Sequence, residues 1–204
     1  MILQDHWQHI YQTKSPVETS WFEPRLQTSL DWISEAAPDR SASIIDVGGG
    51  ESTLSDDLLA MHYRSLTVLD IAEAAITKSR NRLGAAAEKI NWLVGNVIEV
   101  ALPPRAYDVW HDRAVFHFLT ELDQRLAYVR QLSSSLKTGG HVVIATFGPQ
   151  GPEKCSGLVT MRYNAESLQR ELGQDFRLVR SSVVEHHTPF GTAQQFIYCH
   201  FTMG

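Results

Sequence analysis

Five short apolar runs rich in β-branched residues punctuate the chain: SIIDV (Ser43 to Val47), SLTVLD (Ser65 to Asp70), INWLVG (Ile90 to Gly95), YDVWH (Tyr107 to His111) and HVVIATF (His141 to Phe147). Runs of this length and composition suit parallel strands buried on both faces. Between most of them the apolar positions change to helical spacing. Leu122, Leu126, Val129, Leu132 and Leu136 make one stripe that stops at Gly139-Gly140, and Ala72, Ala75, Ile76, Ser79 and Leu83 make a second, smaller-sided one that stops at Gly84. Repeated strand-helix units with right-handed crossovers predict an α/β fold: an open, doubly wound, mainly parallel sheet. Ligands of such sheets bind at the carboxyl ends of the strands.

Two segments depart from the alternation. Residues 5–24 followed by RLQTSLDWISEA (Arg25 to Ala36) read as a helix, a loop and a second helix, rich in aromatics. This predicts an N-terminal helical lid over residues 1–40 on a core of residues 41–204. At the other end, FRLVRSSVVEHHTPFGTAQQFIYCHF carries two β-rich runs joined by Pro189-Phe190-Gly191, which predicts a C-terminal antiparallel hairpin at one edge of the sheet. No internal repeat and no separating linker is visible, so 204 residues are read as one domain.

Composition narrows the partners. With 18 Lys and Arg against 23 Asp and Glu, the formal charge is -5, which leaves no basic footprint for nucleic acid. No apolar run approaches the ~20 residues of a membrane span, and MILQDHWQHI lacks the pattern of an export signal. Cys155 and Cys199 are the only cysteines, too few for a disulfide framework; a reducing compartment, the cytoplasm, is expected.

The chemistry begins at the end of the first run, where Asp46-Val47 leads into Gly48-Gly49-Gly50. A Walker-type loop needs Gly-Lys-Ser/Thr after its glycines, and the chain contains no Gly-Lys pair. A dinucleotide fingerprint needs a third glycine where Thr53 stands, and Glu51 adds negative charge where a pyrophosphate would lie. What remains is an acid two residues before the glycines and a second acid, Asp70, closing the next strand. That pair suits a ligand with an ammonium group and a ribose.

In their order these residues resemble the class I S-adenosylmethionine-dependent methyltransferases, and the resemblance runs from Ser43 through the terminal hairpin. It implies a Rossmann-like fold and S-adenosyl-L-methionine as cofactor. Gly48, Gly49 and Gly50 would then let the backbone approach the amino-acid part of that molecule, with Asp46 supporting the same end. Asp70, followed by Ile71, would accept both ribose hydroxyls. Asn96 and Val97 match the adenine-edge motif, although Asp is commoner there, and Ser52 stands where the family often has a third glycine. Asp46 and Asp70 also have ordinary readings as strand-end or capping acids.

The acceptor side is read from WHDRAVFHFL, whose Trp110-His111-Asp112-Arg113-Ala114 is similar to the Trp-Asp-Arg-Gly segment of thiopurine methyltransferases. His111, Asp112 and Arg113 are the catalytic candidates, with His186 and His187 as further bases of which alternation allows only one to face a common site. Trp7, Tyr11, Trp21 and Phe22 are expected over the cofactor and substrate. In the loop after the fifth run, Cys155, Ser156 and Arg162 are substrate-contact candidates. No metal is expected, because neither His-Glu-x-x-His nor paired Cys-x-x-Cys occurs. The reading is a methyltransferase with a small-molecule acceptor; a protein-lysine acceptor, or a non-catalytic cofactor-binding sensor, are the alternatives.

Overall fold

The five apolar runs become neighbours in one seven-stranded sheet. The computed structural model describes residues 3–204; Met1 and Ile2, the start of the expected lid, lie outside them. In chain order the elements are α1 (Leu3–Thr13), α2 (Gln27–Ala36), β1 (Ser43–Val47), α3 (Leu54–Ala60), β2 (Ser65–Asp70), α4 (Glu73–Leu83), β3 (Ile90–Val94), β4 (Tyr107–Arg113), α5 (Leu122–Ser135), β5 (Leu136–Phe147), a two-residue pair β6 (Lys154–Cys155) and β7 (Leu158–Val159), α6 (Ala165–Leu172), β8 (Phe176–His187) and β9 (Ala193–Met203). The sheet order is β3-β2-β1-β4-β5-β9-β8, parallel from β3 to β5 and antiparallel in the last two strands. This is a Rossmann-like arrangement. The chain reverses its direction of travel across the sheet between β1 and β4, which opens a crevice at their carboxyl ends.

Burial explains the unbroken apolar runs. One face packs Ile45, Trp110, Leu132, Ile144 and Phe201 under α5 and α6, and the other packs Ile44, Val68, Val109 and Val143 against α2 and α3. The edge strand β8 is mostly partly buried or exposed instead, with only Phe176 and His186 buried, as suits an antiparallel edge. Within the hairpin, His186 is buried and His187 is exposed.

Three expectations change. The stripe on α5 is rotated: Leu122 and Leu126 are 58% and 45% exposed, whereas Tyr128, Leu132 and Ser135, themselves at helical spacing, are buried. The tyrosine takes the inward position because its hydroxyl finds partners there, described below. Gly139-Gly140 does not end that helix. The helix stops at Ser135 and the glycines sit inside β5, where Tyr107 pairs with Leu136 but Val109 pairs with His141, so five steps on β5 face two on β4. The surplus residues loop out at Gly139, whose φ of +76° suits glycine. Finally, only the first half of the expected lid covers the crevice. Leu30, Trp32 and Ile33 of α2 lie in the core against Ile44 and Val143, so α2 is a layer of the sandwich. Burying a side chain such as Ile33 fully is worth about 1.5–3 kcal/mol, too much for a segment that must lift.

Candidate active site

The turn after β1 approaches its neighbours more closely than a side chain would permit. Gly48 has a φ of +68°, and a Cβ there would lie 2.0 Å from Val115 Cγ2. Its N–H donates to the Leu69 carbonyl at 2.7 Å, tying the turn to the end of β2. Gly50 has a φ of +41°, and a Cβ there would meet Asp70 Oδ2 at 2.7 Å and the Tyr11 hydroxyl at 2.9 Å. The glycines therefore clear space between three elements, and Ser79 of α4 donates to the Gly50 carbonyl at 2.7 Å to hold them there.

Two cavities sharing Tyr11, Trp21, Gly48 and Arg113 lie above this turn. The larger encloses about 830 Å³, open to solvent, and the smaller about 560 Å³. The larger runs along the carboxyl ends of the strands past Gly48, Asp70, Ile71, Asn96 and Val97, then into an apolar end walled by Trp7, Phe118, Leu119, Phe147 and Cys155. The smaller sits over Asp46, Gly49 and His111. Of the residues expected at the cofactor, all but Gly50 line one cavity or the other. Gly50 supports the wall from behind.

Asp70 is buried, and its Oδ1 accepts the Ala72 N–H at 2.8 Å. Loss of hydration pushes its carboxyl up to about 7, partly opposed by that backbone bond and reinforced by the nearby Asp46. Asn96 closes its own loop, accepting from Ile98 N–H at 3.3 Å.

The segment after β4 is organised by Asp112. Its Oδ1 accepts the Val115 N–H at 2.9 Å, and its Oδ2 accepts the Phe116 N–H at 3.2 Å and the Tyr128 hydroxyl at 2.6 Å. Trp110 Nε1 donates to that same hydroxyl at 2.8 Å. Ala114 takes a φ of +74° in this turn, which sets Val115 against Gly48. Asp112 is fully buried with these partners, and desolvation raises its carboxyl to about 6. Its position corrects the expectation of a catalytic acid: it shapes the loop from below.

His111 needs a similar correction as a general base. Its Nδ1 lies 2.7 Å from Asp46 Oδ1 and its Nε2 lies 2.9 Å from Ser29 Oγ, so both ring nitrogens are engaged. Arg113 reaches the N-terminal segment, donating to the Trp21 carbonyl at 3.0 Å and to Glu23 at 3.1 Å while lying over the Phe196 ring at 4.8 Å. His186 adds a bond from Nε2 to the Ser20 carbonyl at 2.9 Å. Together they latch residues 20–23 to the sheet. Ahead of that latch, α1 lays Trp7, Ile10 and Tyr11 on Ala72 and Ala75. Trp7 meets Phe118 edge-on at 5.0 Å and Trp21 at 5.6 Å.

Arg162 is not part of the site; it pairs with Glu153 at 3.0 Å on the surface. Cys155 lines the apolar end, its thiol raised by burial and 3.9 Å from Ser20 Oγ. Ser156 follows it in a turn with φ of +49°. Among the described residues no cluster of three metal-ligating side chains occurs. Val115, Phe118, Leu119 and Phe147 are cavity residues that the sequence did not single out. Their place, just past the ends of β4 and β5, was the available signal.

Residues 45–142 match the family described as a methyltransferase domain. Among curated proteins, the chain is 32% identical over 107 residues to malonyl-acyl-carrier-protein O-methyltransferase of Anoxybacillus flavithermus, covering 52% of this chain and 39% of that protein. It is 22% identical over 139 residues to mouse eEF1A lysine and N-terminal methyltransferase, covering 68% of this chain and 20% of that protein. The chain thus spans well under half the length of these two relatives. The structure of Burkholderia thailandensis 1,6-didemethyltoxoflavin-N1-methyltransferase, with bound 1,6-didemethyltoxoflavin and S-adenosylhomocysteine, shares the fold with a TM-score of 0.77 at 18% identity over 98% of this chain and 87% of that one. The residues present fit an adenosyl cofactor: glycines clear a cradle at Gly48 and Gly50, and Asp70 offers a carboxylate at the cavity wall. With the ordered acid-glycine-acid motifs, the match over residues 45–142 marks a methyltransferase domain in this chain, similar to the class I S-adenosyl-L-methionine-dependent methyltransferases.

Proposed function

We propose that this chain transfers a methyl group from S-adenosyl-L-methionine to a small, partly apolar acceptor seated at the aromatic end of the larger cavity. The observation that supports this reading most directly is the continuity of that cavity. One wall carries Asp70, Asn96 and Val97, and the same space extends to Trp7, Trp21, Phe118 and Phe147 under the N-terminal segment. A concave, largely apolar pocket partly covered by Trp7, Tyr11 and Trp21 suits a small molecule better than a peptide groove.

The bound cofactor would supply an electrophilic methyl on a sulfonium. The chain's own residues then have to bind, orient and exclude water. In this reading Asp70 would take the ribose, Asn96 and Val97 the base, and the turn at Gly48 to Gly50 with Asp46 the amino-acid end. Arg113 acts through the covering segment, which it holds down on the cavity. Aromatic rings around the cavity would favour a sulfonium by about 0.5–2 kcal/mol when desolvated.

The test is a binding and transfer assay on the same preparation. S-adenosylhomocysteine titrated by calorimetry should bind in the micromolar range, about -7 to -8 kcal/mol. Labelled cofactor is then incubated with thiol, amine and carboxylate metabolites and, separately, with cell-extract proteins. Label in a small molecule is the expected result. Label confined to protein lysines overturns the small-acceptor reading, and tight binding without transfer to any acceptor class supports a non-catalytic binder.

A further inference from the structure

Asp46 has a place in the scheme above, but the buried polar chain behind it does not. Asp46 is the penultimate residue of β1, His111 lies beside it on β4, Ser29 projects from α2, and Tyr198 stands on β9. His111 Nδ1 is 2.7 Å from Asp46 Oδ1, His111 Nε2 is 2.9 Å from Ser29 Oγ, and Ser29 Oγ is 3.4 Å from the Tyr198 hydroxyl. All four residues are buried, with His111 only 1% exposed. Four polar side chains from four elements seldom meet in a core without a use, since each loses its hydration on burial.

The proton positions follow from the partners. An ionised Asp46 only accepts, so His111 carries its proton on Nδ1; Nε2 then accepts from the Ser29 hydroxyl, and Ser29 Oγ accepts from Tyr198. Every donor in the chain thus points towards one carboxylate. Asp46 Oδ2, in contrast, receives no hydrogen bond among the described residues, and Asp46 lines the smaller cavity under Gly49, where a Cβ would come within 2.5 Å of that oxygen. One oxygen of the carboxylate is held from behind, and the other is presented at the glycine turn.

We propose that His111 is a positioning residue, which with Ser29 and Tyr198 keeps the Asp46 carboxylate aimed at the ammonium group of the cofactor's amino-acid tail. This rests on the cofactor reading given above. The imidazole supplies a charge-assisted hydrogen bond to a carboxylate that has few other partners, and Ser29 fixes the ring so that the bond cannot swing away. Because α2 and β9 supply the far end, packing behind the sheet is coupled to the grip on the tail.

The experiment compares two ligands that differ in the tail. S-adenosylhomocysteine carries the amino-acid group, whereas 5′-methylthioadenosine has the same adenosine and thioether and lacks it. Binding of both is measured by calorimetry for the wild-type chain, His111→Phe, His111→Asn and Ser29→Ala. His111→Phe keeps a ring in the core and removes the donor; it should weaken S-adenosylhomocysteine about tenfold or more and leave 5′-methylthioadenosine within about twofold. His111→Asn restores an N–H near the Nδ1 position and should recover most of the loss. Equal loss for both ligands, or full S-adenosylhomocysteine affinity in His111→Phe, overturns the inference. Should His111→Phe fail to fold, the milder Ser29→Ala carries the same test: a loss confined to S-adenosylhomocysteine supports the coupling, and an equal loss for both ligands or no loss overturns it. A wild-type chain that binds neither ligand overturns the cofactor reading and this inference with it. A wild-type chain that binds both leaves the comparison among variants to decide the inference alone.

Discussion

Asp70 carries an opposition between stability and binding that can be measured from both sides. Its carboxyl is buried and raised to about 7, chiefly by loss of hydration, which the backbone N–H of Ala72 and, more weakly, those of Gly50 and Ile71 oppose only in part. Between the ordinary value of 3.8 and about 7 the folded chain therefore holds a proton that the unfolded chain has released. Stability from this group is full below the lower value, falls as pH rises through the window, and is flat above it, with a total on the order of a few kcal/mol. Binding has the opposite slope, because ribose hydroxyls donate best to the ionised carboxylate. At pH 6 about a tenth of the unliganded sites are ionised, so affinity should be about tenfold, or ~1.4 kcal/mol, weaker than at pH 8. Asp70→Asn keeps an acceptor for Ala72 and removes the charge. At pH 8 it should raise the unliganded melting temperature and weaken S-adenosylhomocysteine by about 1.5–3 kcal/mol, and both pH slopes should flatten. Calorimetry in buffers of different ionisation enthalpy would add a direct count, with close to one proton released on binding at pH 6 in the wild type and none in the variant. A wild-type affinity that does not change from pH 5.5 to 8, or an Asn variant that binds as tightly as wild type at pH 8, would refute the reasoning.

Three further outcomes follow from the same geometry. Gly48→Ala puts a methyl 2.0 Å from Val115 Cγ2 at a φ of +68°, so it should destabilise the fold by about 1 kcal/mol or more and cut cofactor affinity more than about tenfold, read by thermal melting and calorimetry. Arg113→Ala removes the bonds to Trp21 and Glu23; limited proteolysis should cut residues 14–25 faster, with S-adenosylhomocysteine restoring part of the protection. Unchanged cleavage would show that His186 and α1 hold the segment without it. Tyr128→Phe strips a donor from Asp112 and an acceptor from Trp110 in the core, and should cost about 1–3 kcal/mol in denaturant unfolding.

The sequence by itself determined the sheet and the glycine turn with its two flanking acids. β1 and β2 begin and end where their apolar runs do, because strands buried on both faces must be continuously apolar. Asp46, the three glycines and Asp70 were legible together because a strand, a tight turn and a strand end leave local marks within about 25 residues of chain. The helix α5 was found, but its buried face was only partly placed: Leu132 is buried as expected, whereas Leu122 and Leu126, which fit the helical period as well as Tyr128 and Ser135 do, are exposed. Only the packing of Trp110 and Asp112 beneath it selects the second set. The same limit governed the acceptor side. His111, Asp112 and Arg113 are consecutive, yet one ties β1 to α2, one folds its own loop and one latches residues 21–23. Alternation along a strand sends neighbours to opposite faces, and what waits on each face comes from segments as far as 92 positions away. Local spacing reports which residue types a chain brings to a strand end. The partners that turn those residues into a base, a brace or a latch are set by long-range packing, and only the tertiary structure decided them.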